Sequence, residues 1–236
     1  MEFDLADLFE SAVDHAGPQT VMVSGARRLS YTELDQRANR PAHYLERAGI
    51  GPGDRVGLQL ANGNEYIEGM LACFKIRAVP INVNYRYAAG ELQYLFKDAA
   101  LVGLIFHSRF APAVTGALGA MPETRALLEV SDSRSPGGLA DDYESAIGSA
   151  PPIRDFPPRR ADDIYCVYTG GTTGMPKGVL WRHEDIFLVT FSPNTLLQLR
   201  SGWNGPLDVR RDSTPSMGIS QCPPTGSPLC KIWFPY

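Results

Sequence analysis

Residues 168–187 read YTGGTTGMPKGVLWRHEDIF, and residues 169–178 within them hold four glycines, three threonines, one proline and one lysine. A run of that composition cannot pack a core and is a poor helix former. Its chemistry suits an anion. Glycines let backbone N–H groups approach phosphate oxygens, threonine hydroxyls add donors, and a lysine supplies positive charge.

Several loops could be read into such a run. A Walker A loop, G-x-x-x-x-G-K-[ST], differs in detail, because Lys177 follows Pro176 and precedes Gly178, so the Gly-Lys pair and the magnesium-binding hydroxyl are both missing. Pro176 and Gly178 also argue against a helix beginning there, which predicts a strand-loop-strand cradle. A dinucleotide G-x-G-x-x-G is absent. On composition alone an ordinary flexible surface loop remains open.

The elements that must position this loop follow from periodicity. Leu5, Leu8, Phe9, Ala12 and Val13 have the spacing of an amphipathic helix, with Asp4 as its N-cap. TVMVSGARRLSY reads as a hairpin with a Ser-Gly turn. Ser30 and Glu33 are spaced as a capping box that opens a helix to about Ala48, with Pro41 expected to kink it. Then strand and helix patterns alternate: RVGLQL, NEYIEGMLACFKIR, AVPINV, AGELQYLFKDA, LVGLIF, a helix over 109–120, RALLEV, and a short helix DDYESAI. This alternation predicts βαβ units in three layers over residues 50–150, a mainly parallel sheet with helices on both faces. Residues 148–160, with four prolines, form an extended connector. Beyond it the strands DIYCVY and GVLW flank the loop and are expected to begin a second sheet, with a helix from HEDIF.

Composition narrows the classes. The 236 residues are 44% hydrophobic, enough for a core, and carry a net charge of −4, so no global attraction to nucleic acid or anionic membrane is expected. No apolar stretch approaches the roughly 20 residues of a membrane span. MEFDLADLFE lacks the basic-then-apolar order of a signal peptide. Cys73, Cys166, Cys222 and Cys230 form no CxxC pair; Cys73 and Cys166 lie in apolar runs and are expected as buried free thiols, which fits a reducing, cytoplasmic protein.

The order of residues in the loop is specific. TGGTTGMPKG matches, position by position, the phosphate-binding signature [ST]-[SG]-G-[ST]-T-G-x-P-K-G of the adenylate-forming (AMP-binding) superfamily. RRLSYTELDQRANRPAHYLERAGIGPGDRVGL and EGMLACFKIRAVPINVNYRYAAGELQYLFKDA resemble the same family's earlier segments. INVNYRY and WRHED are most similar to the bacterial acyl-CoA synthetase (fatty-acid-CoA ligase) branch that activates fatty acids and steroid side-chain acids. The resemblance covers roughly residues 5–187. It implies an incomplete N-terminal domain of the adenylate-forming fold over residues 1–187. It also implies ATP-dependent activation of a carboxylic acid through an acyl-adenylate to its CoA thioester, with ATP, Mg2+ and CoA taking part. By the resemblance, Thr169, Thr172 and Thr173 donate to phosphate oxygens, Gly170, Gly171 and Gly174 give backbone access, and Lys177 holds the loop near the phosphates. No catalytic residue and no magnesium ligand is assigned within this chain.

Other residues read more plainly. His183 and Glu184 are expected at an exposed helix N-terminus, and Asp162 and Asp163 at a turn. NYRY (84–87) is read as packing after a strand. His15, His43 and His107 are isolated and have no zinc spacing. The family's aromatic-Gly-x-[ST]-Glu and [ST]-Gly-Asp segments and its C-terminal lysine are not matched. Residues 190–236 carry seven prolines and two acidic against four basic residues. Residues 188–236 are therefore expected to be a poorly ordered, non-family tail that reads as an altered frame or a spurious gene model, with a lineage-specific insertion as the alternative. Two readings follow: an acyl-CoA synthetase family member that is inactive as this chain, or a non-catalytic fragment that binds a nucleotide or a partner weakly.

Overall fold

The structure is a computed structural model that describes residues 4–131, 137–169 and 175–191. The first helix, α1 (Leu5–Ala16), starts where Asp4 accepts the Ala6 N–H at 2.7 Å. Strands β1 (Thr20–Ser24) and β2 (Arg27–Ser30) form an antiparallel hairpin. Ser24 pairs with Arg27, so the turn proper is Gly25-Ala26, and Gly25 takes the left-handed φ of +60° that glycine tolerates. The capping box forms as expected: Ser30 Oγ accepts the Glu33 N–H at 3.2 Å, and Glu33 Oε2 accepts the Ser30 N–H at 2.8 Å. It opens α2 (Tyr31–Arg47), which runs unbroken through Pro41.

The alternating pattern then resolves into β3 (Arg55–Gln59), α3 (Asn64–Lys75), β4 (Val79–Asn82), α4 (Ala89–Asp98) and β5 (Gly103–His107). The helix expected over 109–120 is divided into a 3-10 turn (Ser108–Phe110), a short α5 (Ala111–Thr115) and a second 3-10 turn (Leu118–Ala120). Gly116, a poor helix residue, stands at the break after α5. After β6 (Ala126–Val130), Asp141 and Asp142 form the two-residue β7 rather than joining the helix; Asp142 instead caps α6 (Tyr143–Gly148), its Oδ1 accepting the Ser145 N–H at 2.9 Å. The connector runs through 151–160 without regular structure and delivers β8 (Ile164–Thr169), β9 (Lys177–Arg182) and α7 (His183–Phe191).

One seven-stranded sheet holds β3 to β9 in the order β7-β6-β5-β3-β4-β8-β9, and only β9 is antiparallel to its neighbour. Apolar clusters cover both faces. Val56, Leu58, Ile105 and Leu128 pack with α2, α3 and α6, while Ile81, Leu104 and Phe106 pack with Leu92, Leu95, Phe96 and Val114 of α4 and α5. Strands buried on both faces read as continuous apolar runs, as LVGLIF does. A third cluster joins α1 to α2, α3 and β2 through Ala6, Leu34, Ala38 and Phe74.

The expected second sheet does not form among the described residues. β8 continues the first sheet by pairing parallel to β4, Ile81 opposite Cys166. A ten-residue extended connector reaches about 33 Å, far enough to cross the helix layer and return to an open edge. Nothing local in DIYCVY specifies which edge it joins. The expectation for the tail falls almost wholly on residues outside the described ones; 188–191 continue α7.

Candidate functional site

The loop is carried by a strand hairpin, as Pro176 and Gly178 predict. β8 ends at Thr169, β9 begins at Lys177, and these two residues face each other across the ladder. Both are exposed. The structure therefore brings together the two described members of the candidate set. Gly170, Gly171, Thr172, Thr173 and Gly174 lie outside the described residues. The hairpin opens at the carboxyl end of the parallel strands, the end that also carries Gln59 of β3, Asn82 of β4 and His107 of β5. Open α/β sheets bind ligands at that end.

Two contacts fix the strands beneath the loop. The Tyr168 hydroxyl donates to Asp98 Oδ2 of α4 at 2.8 Å, and burial, helped by that carboxylate, pushes its phenol well up. Gly178 lies opposite Tyr168, where a Cβ would stand 3.1 Å from Cys166 Sγ and 3.1 Å from the Tyr168 ring. The last glycine of the signature thus fills a tight place in the hairpin, where a larger residue would need Cys166 and Tyr168 to shift.

The base of the hairpin holds residues that the sequence reading misplaced. His183, expected on the surface, is 1% exposed. Its Nδ1 lies 2.5 Å from Asp4 Oδ2, and its ring meets Phe74 edge-on at 4.7 Å. The Leu5 N–H also points at Nδ1, at 3.3 Å. A carboxylate only accepts, so the short contact makes Nδ1 the donor and leaves no lone pair for Leu5. Nε2 is enclosed without a partner among the described residues. The surface expectation fails because α1 folds back over the start of α7, 179 residues away. Asp163 does stand at a turn, accepting the Arg160 N–H at 3.1 Å, but it also takes a forked pair from Arg77 Nε and Nη2 at 2.9 Å each. Arg77 itself adopts a φ of +62°. NYRY packs only in part: Tyr87 joins the second cluster, while Tyr85 is exposed, stacked on Phe110 at 6.2 Å with Arg86 5.5 Å from its ring.

Cys73 and Cys166 are buried free thiols, as expected. Burial pushes Cys166 up to about 12 and Cys73 further. Among the described residues, no group of three His, Cys, Asp or Glu is placed to hold a metal ion, and no helix is long and apolar enough to cross a membrane. A shallow hollow of about 520 Å³ lies between the end of α2 and α6, lined by Tyr44, Arg47, Asp141 and Ser145 among others, on the β7 side of the sheet away from the hairpin.

Comparison with known proteins agrees with the loop signature. The family described as AMP-binding enzyme matches residues 9–204. A 3-oxocholest-4-en-26-oate–CoA ligase of Rhodococcus rhodochrous is 45% identical over 194 residues, covering 80% of this chain and 35% of that protein. A medium/long-chain-fatty-acid–CoA/3-oxocholest-4-en-26-oate–CoA ligase of Mycolicibacterium smegmatis is 43% identical over 199 residues, covering 81% of this chain and 35% of that protein. The chain thus spans about a third of the length of these relatives. In fold it is similar to the crystal structure of an anthranilate CoA ligase in complex with anthranoyl-AMP, with a TM-score of 0.74, 22% identity and coverage of 80% of this chain and 36% of that one. With the signature on its strand hairpin and the family match across most of its length, the chain belongs to the AMP-binding enzyme family.

Proposed function

We propose that the chain carries the polyphosphate-holding part of an ATP-dependent acyl-CoA synthetase. The observation that carries this reading is the hairpin: a Gly/Thr loop framed by Thr169 and Lys177 at the carboxyl end of a parallel sheet. In this reading Thr169, Thr172 and Thr173 donate to the β- and γ-phosphate oxygens of ATP. Gly170, Gly171 and Gly174 admit the phosphates to the backbone N–H groups, and Lys177 adds a charge-assisted contact. Such donors suit a reaction in which a carboxylate oxygen attacks the α-phosphorus, pyrophosphate leaves, and the acyl-adenylate then passes its acyl group to the thiol of CoA with release of AMP. The protein's part in it is positioning and charge stabilisation.

The donor set fits a polyphosphate. It does not fit Mg2+ on its own, since hydroxyls, amides and an ammonium offer no carboxylate, so a magnesium ion would come with the nucleotide. The relatives' names point to a fatty acid or a steroid side-chain acid as the carboxylic substrate. Residues 1–187 are read as part of the N-terminal adenylation domain. The buried free thiols and the need for ATP and CoA support a cytoplasmic setting.

The donors of the loop reach the phosphates, and no residue of the described chain is assigned to the reacting α-phosphorus, so binding without turnover is expected for this polypeptide alone. Two measurements on the whole chain test the reading. Titration calorimetry with inorganic tripolyphosphate should show binding that Lys177→Ala weakens by roughly 1.5–3 kcal/mol, the worth of a charge-assisted contact. ATP–pyrophosphate exchange with acids of short to long chain should stay at background. A Lys177→Ala affinity equal to that of the unchanged chain refutes the phosphate assignment, and robust exchange refutes the second part.

A further inference from the structure

The acidic residues at the start and along α1 are Asp4, Asp7, Glu10 and Asp14. Spacings of three and four place them on one helix face. Each meets a basic partner. Asp4 Oδ2 lies 2.5 Å from His183 Nδ1, at the first residue of α7. Asp7 pairs with Arg159, Glu10 with Lys75 and, at 2.8 Å, with Arg159, and Asp14 with Arg154 at 2.7 Å. Arg154 and Arg159 stand on the connector that leads into β8, and His183 follows directly on β9. One face of α1 therefore grips the chain on both sides of the hairpin.

The grip is graded. Asp7 and Asp14 have side chains 51% and 64% exposed, and such pairs contribute little and weaken in salt. The Lys75 ammonium is fully buried, shared between Glu10 and Asp35, and Asp35 in turn takes Arg154 Nε at 2.7 Å. Asp4 and His183 are buried as well. Asp4 has two roles at once: Oδ1 caps α1 through Ala6, and Oδ2 holds the imidazole. The connector has no ladder of its own, and these side-chain pairs place it together with contacts from α2, where Asn39 Nδ2 donates to the Pro152 carbonyl at 2.9 Å and His43 stacks on Phe156 at 4.5 Å.

We propose that the acidic face of α1 is a positioning element for the β8–β9 hairpin, with the Asp4–His183 pair as its main clamp on the strand that begins at Lys177. The clamp is independent of what the loop binds; only its consequence for polyphosphate rests on the function proposed above.

Peptide-resolved hydrogen exchange on the whole chain tests it. His183→Leu removes the clamp from one side. Asp4→Ser removes it from the other, because serine still caps a helix but is too short to reach His183. Both should speed exchange of 164–169 and 177–182 by about tenfold or more, the lower end for a lost charge-assisted bond, and leave 55–59 and 103–107 unchanged. The double variant should be no worse than either single. His183→Asn, whose side-chain amide can donate from near the Nδ1 position, should restore most of the protection, and Asp14→Asn should change nothing. Hairpin exchange that stays at the level of the unchanged chain in both variants, or core strands that accelerate equally, overturns the clamp. Tripolyphosphate titration of the same variants separates the two ideas. Weakened binding beside intact core strands supports positioning of the loop. If the unchanged chain binds no tripolyphosphate, the proposed function falls, and the exchange result still decides the clamp.

Discussion

Strand β5 is paired over Gly103–Phe106 with β3 on one side and along its whole length with β6 on the other, and Leu104, Ile105 and Phe106 are buried on both faces of the sheet. Strand β8 lies in the same sheet, yet it meets β4 through one registered pair, and its outer neighbour β9 has no strand beyond it among the described residues. The centre is held by apolar burial, which is non-directional and is lost only on unfolding. The hairpin is less buried, with Cys166 in the second apolar cluster and Ile164, Tyr168 and Leu180 beside it, and it relies in addition on a few directional contacts: Tyr168 to Asp98, His183 to Asp4, Arg77 to Asp163. A few directional bonds fix a position well and can also open locally. One sheet thus supplies both a rigid platform and a separately adjustable loop carrier.

The largest expected effect lies at the centre. Phe106→Ala empties a fully buried site between α4 and α5 and should lower global stability by about 3–5 kcal/mol, read from the urea midpoint. A loss below 1 kcal/mol would show that the centre is not the platform described. Next comes Gly178→Val. The added atoms meet Cys166 Sγ and the Tyr168 ring, both under the loop, and overpacking there should cost about 1–3 kcal/mol. Its mark should be faster hydrogen exchange in the hairpin with β3 and β5 unchanged. Uniform acceleration would merge the two regions into one.

How much of this was legible in the sequence depends on the distance between cause and effect along the chain. The Ser30–Glu33 capping box, the Asp4 cap and the β1–β2 hairpin act within a few residues; the two caps formed as read, and the hairpin formed with its turn one residue later, at Gly25-Ala26 instead of Ser24-Gly25. The apolar runs of β3, β4 and β5 announced themselves because strands buried on both faces have no polar alternation. The partners of Asp4 and Asp163 could not be read, since they lie 179 and 86 residues away and no local pattern marks them. For the same reason DIYCVY was recognisable as a strand but not as the neighbour of β4. Buried Glu129 is a further case. Its Oε2 accepts the N–H groups of Gly138, Leu139 and Ala140 at 2.8, 2.9 and 3.3 Å, and a lone glutamate in an apolar strand gives no sign of that loop-organising role. In the candidate site, the residue types and the strand-loop-strand form were legible. The anchoring beneath it was not.

The two buried thiols report on the same contrast with a smaller effect. Cys73 lies in α3 against the centre, and Cys166 lies in β8 between β4 and β9. Burial raises both thiols, Cys166 to about 12, so neither offers a useful thiolate fraction at pH 8 unless the structure opens. Opening of the hairpin exposes Cys166 alone. Labelling followed by peptide mapping should therefore modify Cys166 about tenfold faster than Cys73. Equal rates would mean that the hairpin opens only with the whole fold.

The smallest effect concerns acid and the opposite edge of the sheet. Asp142 in β7 accepts the Ser145 N–H at 2.9 Å and the Ser131 hydroxyl at 3.0 Å. The backbone bond from Ser145 is the main reason its carboxyl is held below the usual value. The sign follows from that direction. The folded chain binds this proton less readily than the unfolded chain, whose carboxyl titrates near about 3.9. The contribution is therefore complete above that value and is lost as the pH falls through the lower, folded one. Asparagine caps a helix about as well as aspartate, so Asp142→Asn should change stability at neutral pH by only a few tenths of a kcal/mol. What it should remove is one part of the acid loss, seen as a shallower fall in unfolding free energy between about pH 5 and pH 3. The hairpin has no share in this term, because its anchors Asp98 and Asp4 lie on other elements. Exchange in 164–169 and 177–182 should respond to acid equally in Asp142→Asn and the unchanged chain, while 143–148 responds less in the variant. An acid response of the hairpin that follows Asp142 would tie the two edges together and end the separation between platform and carrier.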